Sequence, residues 1–512
     1  MKRPDMGTLR GFPNPPAMVR RRQSRRAPHA ARLLIAAALL LAAPSALAGP
    51  FDDPHVGSLG FSGPTTGDLT ALYWNPAALG MLQGYQFMFG ASLRATHVTV
   101  DRAPIDSMTG QPGGTSSFPS ASGHGLEQPF AWPPGPAGFL GVGAGVARRF
   151  AIAIAAYTPF SQKLSFDVTT PTHYHLVSID SRQLALVVGL AIDLTDSLRV
   201  GVAPGLLFSY GHVVFDEDTA LGSAACVTSP CTVENPNAAA RYDLATDGTQ
   251  TPSYFVVGGI HYRRAAWEVG LAYASAPLGS DGTVKLSLER SQVTPPPPTN
   301  DLCSTVGHSP CVSGEMRYHL PDLFTAGVTW HATRHLDAVG IVRWVRYGSH
   351  DRITIRLVGP SGTGLLGNNL PDQLVLYRGF QDSWDMRARL VHAPRPWFRW
   401  SGTLRLETSA VPEANVNAAA VDGLKLEPAL ATEFALGRHL RIAAGYALTW
   451  MFPVTVGNST FDPTAAAACA QAAYDLSLPA CQTRLAGQAR PTAAGSYKML
   501  QHTLALMTTV SF

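Results

Sequence analysis

Six cysteines are the first residues of this 512-residue chain to suggest chemistry. They fall into three close pairs, Cys226 with Cys231, Cys303 with Cys311 and Cys469 with Cys481, each in a Pro-, Ser- or Ala-rich stretch. No pair has C-x2-C spacing and no histidine cluster accompanies one, so metal ligation is the weaker reading. If the chain is exported, the pattern predicts three local disulfides. Loops this short yield no more than about 2–3 kcal/mol each in the chain-entropy picture. His173 and His175 lie two apart; a loop pair satisfied by solvent is a plainer reading than a metal site. Gly141-Val142-Gly143-Ala144-Gly145-Val146 looks like a dinucleotide loop, but it lacks the last glycine and runs into another strand-like segment. No G-x-S-x-G, H-E-x-x-H, C-x-x-C or Walker A sequence occurs. The expectation is therefore no enzyme, no catalytic residues, no metal and no cofactor.

The elements that would hold such residues begin after a targeting segment. Arg20, Arg21, Arg22, Arg25, Arg26 and Arg32 form a basic region, Leu33–Ala43 is an apolar run, and Ala46-Leu47-Ala48 supplies small residues for a signal peptidase. Residues 1–48 thus read as a signal peptide. Eleven apolar residues span only about 16 Å as a helix, too short to cross a bilayer. Ser24-Arg25-Arg26 superficially resembles a twin-arginine signal, and Met18 is an alternative start. This segment holds nine Lys/Arg and one Asp, leaving 30 basic and 34 acidic residues, a net of −4. The basic isoelectric point belongs to the leader, and nucleic-acid binding loses its support.

Charged residues make up 14% of the chain, against about 25% in a soluble domain, yet no apolar run reaches the roughly 20 residues of a transmembrane helix. Apolar residues instead recur at every second position. Trp267, Val269, Leu271 and Tyr273 alternate with Glu268, Gly270, Ala272 and Ala274. Phe324, Val328 and Trp330 alternate with Thr325, Gly327 and Thr329. Leu504, Leu506, Thr508, Val510 and Phe512 alternate with Thr503, Ala505, Met507, Thr509 and Ser511. One face is greasy, with aromatics near its ends; the other is small or polar, as a lipid-facing band requires. Alternation predicts fourteen strands, at 84–100, 136–147, 150–168, 176–192, 198–216, 251–263, 266–290, 317–332, 336–357, 379–392, 397–409, 426–437, 440–455 and 495–512. Short turns at Arg148-Arg149, Asp193–Ser197, Arg263–Ala265, Thr333–His335, Ala393–Pro396 and Gly437–His439 alternate with longer connections, which hold all the cysteines. The fold class is an all-β, 14-stranded antiparallel transmembrane β-barrel. Glu268, Arg343 and Arg405 fall on or near inward faces.

Residues 57–63 (Gly-Ser-Leu-Gly-Phe-Ser-Gly), leading through Tyr73-Trp74-Asn75-Pro76-Ala77-Ala78-Leu79, resemble the N-terminal plug of FadL-type transporters. That family carries an Asn-Pro-Ala motif just before the first strand. Tyr157-Thr158-Pro159-Phe160, Leu320-Pro321-Asp322, Trp384-Asp385-Met386-Arg387 and the final Phe512 extend the likeness across the expected mature chain. The paired cysteines are not part of the family pattern. The resemblance implies a bacterial outer-membrane monomer divided into residues 49–83 as a hatch inside the lumen and 84–512 as the barrel. Asn75, Pro76 and Ala77 become the hatch motif, and Phe512 the signal read by the barrel assembly machinery. A proline cannot donate to a ladder, and the resemblance implies that Pro159, with Tyr157 and Phe160, marks a lateral opening in the third strand. A simple Asn-Pro turn, and a proline that merely ends a strand, are the plainer alternatives. The implied function is passive uptake of hydrophobic compounds, long-chain fatty acids or aromatic hydrocarbons, through a greasy site behind the outer loops, with outer-membrane lipids around the barrel. A barrel repurposed as a secretion or assembly partner is the competing reading. An outer-membrane hydrolase is a third, for which no Ser/His/acid set presents itself.

Overall fold

The computed structural model describes residues 55–56, 59–102, 121–127, 138–147, 149–168, 170–218, 239–246, 252–278, 284–292, 312–358, 373–457, 459 and 493–512. The expected signal peptide lies outside them. So do all three expected disulfides: Cys226 and Cys231, Cys303 and Cys311, and Cys469 and Cys481 are not among the described residues.

Fourteen strands succeed one another: β1 (Tyr85–Arg102), β2 (Ala121–Glu127 and Phe139–Ala147), β3 (Phe150–Tyr157 and Ser161–Phe166), β4 (Ser178–Asp193), β5 (Leu198–Asp218), β6 (Ala239–Thr246 and Ser253–Arg264), β7 (Trp267–Ala274 and Val284–Gln292), β8 (Val312–Tyr318 and Leu323–Thr333), β9 (Leu336–Val345 and Arg352–Val358), β10 (Gln373–Tyr377 and Ser383–Arg395), β11 (Phe398–Glu407), β12 (Lys425–Leu436), β13 (Leu440–Val456) and β14 (Gly495–Ser511). Each pairs antiparallel with the next. The ring closes where β1 meets β14, from Gln86↔Ser511 to Arg102↔Gly495. Phe512 extends this seam: its N–H donates to the Tyr85 carbonyl at 2.9 Å, and its carbonyl accepts from the Tyr85 N–H at 3.0 Å. Closure leaves no sheet edge, as a wall surrounded by hydrocarbon requires.

The expected alternation holds on the faces. Leu271, Phe324, Tyr446, Leu504 and Leu506 are exposed, whereas Glu268, Ala272, Thr325, Ala447 and Thr503 are buried toward the lumen. Outward aromatics mark two levels. Trp267 stacks on Trp330 at 5.7 Å and Trp397 on Phe434 at 6.4 Å near the short turns; Tyr273, Trp384 and Trp450 lie toward the other end.

Seven strands are interrupted, a feature that alternation does not reveal. The upper half of β2, Ala121-Ser-Gly-His-Gly-Leu-Glu127, has only one large apolar residue and so reads as a loop. It is held by backbone pairing with β1. The upper halves of β6 and β10 escape the pattern too, and β7, expected as one run, breaks after Ala274.

Buried apolar residues form two main layers. The lower joins Leu69, Leu72, Trp74 and Leu79 to Ala153, Val187, Ala203 and Val257 on the wall. The upper is built by the connection from β11 to β12, whose Ala410, Val411, Val416, Ala418 and Val421 fold inward against Val98, Leu176, Met451 and Tyr497.

Leu430, on the outward face of β12, is 66% exposed. Leu430→Lys is expected to lower the unfolding free energy measured in bilayers by about 2–4 kcal/mol, the cost of a cation at mid-depth. A change within the error of the titration would mean that this face meets water.

Candidate functional site

The segment ahead of β1 is short-range in its construction. A single α-turn, Ala71–Trp74, closes with the Asn75 N–H donating to the Ala71 carbonyl at 2.8 Å. A 3-10 turn, Pro76–Met81, follows at once. Asn75 caps it: Oδ1 accepts from the Ala77 N–H at 3.1 Å. Pro76 takes the first helical position, where no N–H is needed. The Asn75 amide also donates twice, to the Pro64 carbonyl at 2.8 Å and to the Ile260 carbonyl of β6 at 3.0 Å. All of Asn75, Pro76 and Ala77 are buried.

The wall beneath is glycine for a steric reason. A Cβ at Gly201 (β5) would overlap the Pro76–Ala77 peptide; at Gly259 (β6), the Asn75 side chain; at Gly270 (β7), the Pro64 carbonyl; and at Gly327 (β8), the Pro64 ring. These inward glycines form a track on which backbone meets backbone. Side chains fasten the rest. Thr65 and Thr329 hydroxyls lie 2.7 Å apart. Arg343 Nη2 donates to the Tyr73 hydroxyl at 2.8 Å, with its guanidinium 5.1 Å from the Trp74 ring. Arg389 donates to the Ser62 carbonyl at 2.8 Å. His55 meets Glu427 at 2.9 Å.

Between the two apolar layers runs a band of paired charges. Asp385 contacts Arg387 and Arg405, the latter at 3.1 Å, and Arg343 approaches it at 4.0 Å. Arg405 also reaches Glu407 and Glu427, the second at 3.1 Å. Lys425 lies 2.7 Å from Asp422 and 3.6 Å from Glu407. Four cations thus face four carboxylates, which removes the large cost of an unpaired buried charge. Burial pushes the Asp422 carboxyl, in the β11–β12 connection, up to about 7 against the pull of Lys425.

Nearer the turns, six inward residues on β4–β9 join in series. Asp193 accepts from Arg199 at 3.0 Å, Arg199 donates to His261 at 3.3 Å, and His261 donates to Glu268 at 3.1 Å. Glu268 meets His331 at 3.0 Å, and His331 meets Asp337 at 2.7 Å. Because Arg199 only donates, His261 Nδ1 must accept, which leaves its Nε2–H for Glu268.

Tyr157, Pro159 and Phe160, the residues of the expected opening, lie where the two halves of β3 meet, and residues 128–137 of β2 lie outside the described residues. Below that point, β2 and β3 pair from Ala147↔Phe150 to Phe139↔Tyr157. Above it they pair at His124↔Ser165 and Gly123↔Phe166. The Thr158 N–H donates to the Gly138 carbonyl at 3.1 Å. Pro159 and Phe160 are buried. Tyr157 points inward and meets the Tyr73 ring edge-on at 5.4 Å. A small cavity, partly open to solvent, lies beside the upper half of β3, lined by Ser161, Lys163, Arg94, Glu127, Lys425 and Gln501 among others. Arg94 Nη1 reaches Ser161 Oγ at 3.3 Å and Glu127 at 3.5 Å.

One expectation needs correction. His173 and His175 are not solvated: both are buried, and His173 lies 2.7 Å from Asp216, which also holds Arg241 at 2.9 Å. Their turn packs on β5 and β1. Charged and polar side chains dominate the lining of the cavity. Glu268, Arg343 and Arg405 do face inward. Sequence reading missed Arg94, Asp385, Glu427 and His55 as partners in the lumen. For Arg94, Asp385 and Glu427 the signal was a charge on the small-residue face of a strand, which alternation alone leaves unpaired; His55 lies ahead of β1 and carried no such signal.

The profile of the outer membrane protein transport protein family (OMPP1/FadL/TodX) matches residues 57–456. The chain belongs to this family of bacterial outer-membrane transport barrels, which are channels for hydrophobic compounds and not enzymes. Among solved structures it resembles a Pseudomonas aeruginosa FadL homologue, with 14% identity, a TM-score of 0.66, and coverage of 91% of this chain and 100% of the other. The Ralstonia pickettii toluene transporter TbuX follows at 12% and 0.55, covering 91% and 99%. The Pseudomonas putida toluene transporter TodX gives 12% and 0.56, covering 87% and 94%. At such identities these likenesses speak for the fold. No curated protein sequence matches.

Gly201→Ala is expected to lift the inner segment from the wall. The cost is about 1–3 kcal/mol, as for overpacking elsewhere, with faster proteolytic cleavage between residues 59 and 82. Gly258→Ala, where an added methyl meets nothing within 4 Å, is the control. Equal cleavage of the two variants would remove the track from the account.

Proposed function

We propose that this barrel takes up amphipathic molecules with an apolar body and an anionic head, long-chain fatty acids being the simplest class, and releases them sideways between β2 and β3. The reading is supported by the division of β3 at Thr158-Pro159-Phe160, beside the cavity. Pro159 has no N–H to donate, so a ladder there would leave an acceptor without a partner. A ligand in the cavity reaches hydrocarbon at this point, without crossing the turn end where residues 59–82 sit. The transfer of its apolar body is driven by about 0.8 kcal/mol for each CH2 removed from water.

The lining bears on substrate class. Arg94, Lys163 and Lys425 offer cations that a bare aromatic hydrocarbon could not use. A carboxylate head could pair with one of them as the charge band rearranges. The named toluene transporters share the fold with this chain, but their substrate does not follow from it. In this reading Asn75, Pro76 and Ala77 form the hinge of a hatch, residues 49–83, whose shift opens the lower side of the cavity. A secretion or assembly role gains nothing from a cavity placed beside a divided strand.

Pro159→Val is expected to cut uptake of a labelled long-chain fatty acid several-fold. The amount of barrel in the outer membrane should stay unchanged. Uptake at the parental rate would count against release at this point. In parental cells the acid should enter faster than a labelled aromatic hydrocarbon, relative to a deletion strain; the reverse order would reassign the substrate.

A further inference from the structure

The end of the barrel that carries the short turns is rich in arginine, and four of these arginines have no ion-pair partner among the described residues. Five of the six turns bring arginine: Arg148-Arg149, Arg263-Arg264, Arg334, Arg395 and Arg438. Arg264, Arg334, Arg395 and Arg438 are exposed. Among the described residues none of these four makes an ion pair, whereas Arg149 has Asp196 at 4.0 Å and Arg263 has Glu268 at 3.2 Å. At the opposite end most described cations are paired, Arg317 and Arg378 aside. There Lys498 sits 4.0 Å from Asp101, Lys163 3.5 Å from Asp180, Arg241 2.9 Å from Asp216, and Arg352 2.8 Å from Asp351. Net charge does not explain this contrast, because residues 49–512 carry a net of −4.

Depth identifies what these arginines meet. Trp267, three residues from Arg264, is 51% exposed, and Trp397, two residues from Arg395, is 56% exposed. Such outward aromatics sit at the boundary between hydrocarbon and headgroups. A guanidinium one step further along the strand lies at the level of the lipid phosphates, which its fork of donors fits. Short turns face the periplasm in bacterial barrels, so the leaflet concerned is the phospholipid one.

We propose that this rim is a binding collar for anionic phospholipid headgroups of the periplasmic leaflet, with Arg264, Arg334, Arg395 and Arg438 as its contacts. The collar would fix the height of the barrel in the membrane and draw anionic lipid around it. It does not depend on which molecule the lumen carries.

The test uses the full chain in phosphatidylcholine vesicles containing spin-labelled phosphatidylglycerol or, in parallel, spin-labelled phosphatidylcholine. Electron paramagnetic resonance then gives the relative association of each with the protein. Phosphatidylglycerol should be favoured about fivefold at low salt, equivalent to about 1 kcal/mol per basic contact near a charged surface, and the preference should fade as salt is raised. The quadruple change Arg264→Gln, Arg334→Gln, Arg395→Gln and Arg438→Gln should abolish it. Arg438→Gln alone should weaken it, and keeps the test open if the quadruple variant assembles poorly. Equal association of the two lipids with the parental protein would overturn the proposal. So would a preference that survives in the variants, a result expected if the rim serves an acidic protein instead.

Discussion

A polypeptide in hydrocarbon cannot leave a backbone N–H or C=O without a partner, and the rest of this molecule follows from how it meets that constraint. Fourteen strands achieve it by closing through β1 and β14. A ring of this size is wider than the roughly eight-strand barrel that side chains alone can fill. Here chain occupies much of the lumen. Residues 59–82 enter from one side and the β11–β12 connection from the other. The glycine track, the Asn75 amide and the Arg343–Tyr73 bond are consequences of placing backbone against the inside of a wall.

Filling a lumen with chain brings polar groups into a confined space, and the charge band is the answer found here. Asp385, Arg405, Glu427 and Lys425 share partners in a neutral set, so that no single charge is left buried alone. Such a set contributes little net stability relative to apolar packing, and Arg405, Glu407 and Lys425 of it line the cavity. The division of β3 at Pro159 borders that cavity.

Much of the architecture was legible as alternation. Leu504 and Leu506 against Thr503 and Met507, or Trp267 against Glu268, state which side chain meets lipid before any coordinates do. Strand number and the positions of the short turns followed. The interruptions did not, because Ala121–Glu127 and Gln373–Tyr377 are paired through backbone, and backbone pairing leaves no mark in side-chain type. Asn75-Pro76-Ala77 was readable as a motif, yet its footing was not: Gly201, Gly259, Gly270 and Gly327 are scattered over four strands and become a track only in register. His173 misled for a similar reason, since its partner Asp216 lies on another strand.

The central claim is that the ring is closed and its interior sealed by chain in the resting state. Ionic conductance of the full-length protein in planar bilayers measures this directly. The account predicts no steady current above that of the protein-free membrane. A stable open-channel current from the parental protein would contradict it, because ions could then pass where residues 59–82 and the inward connection are packed.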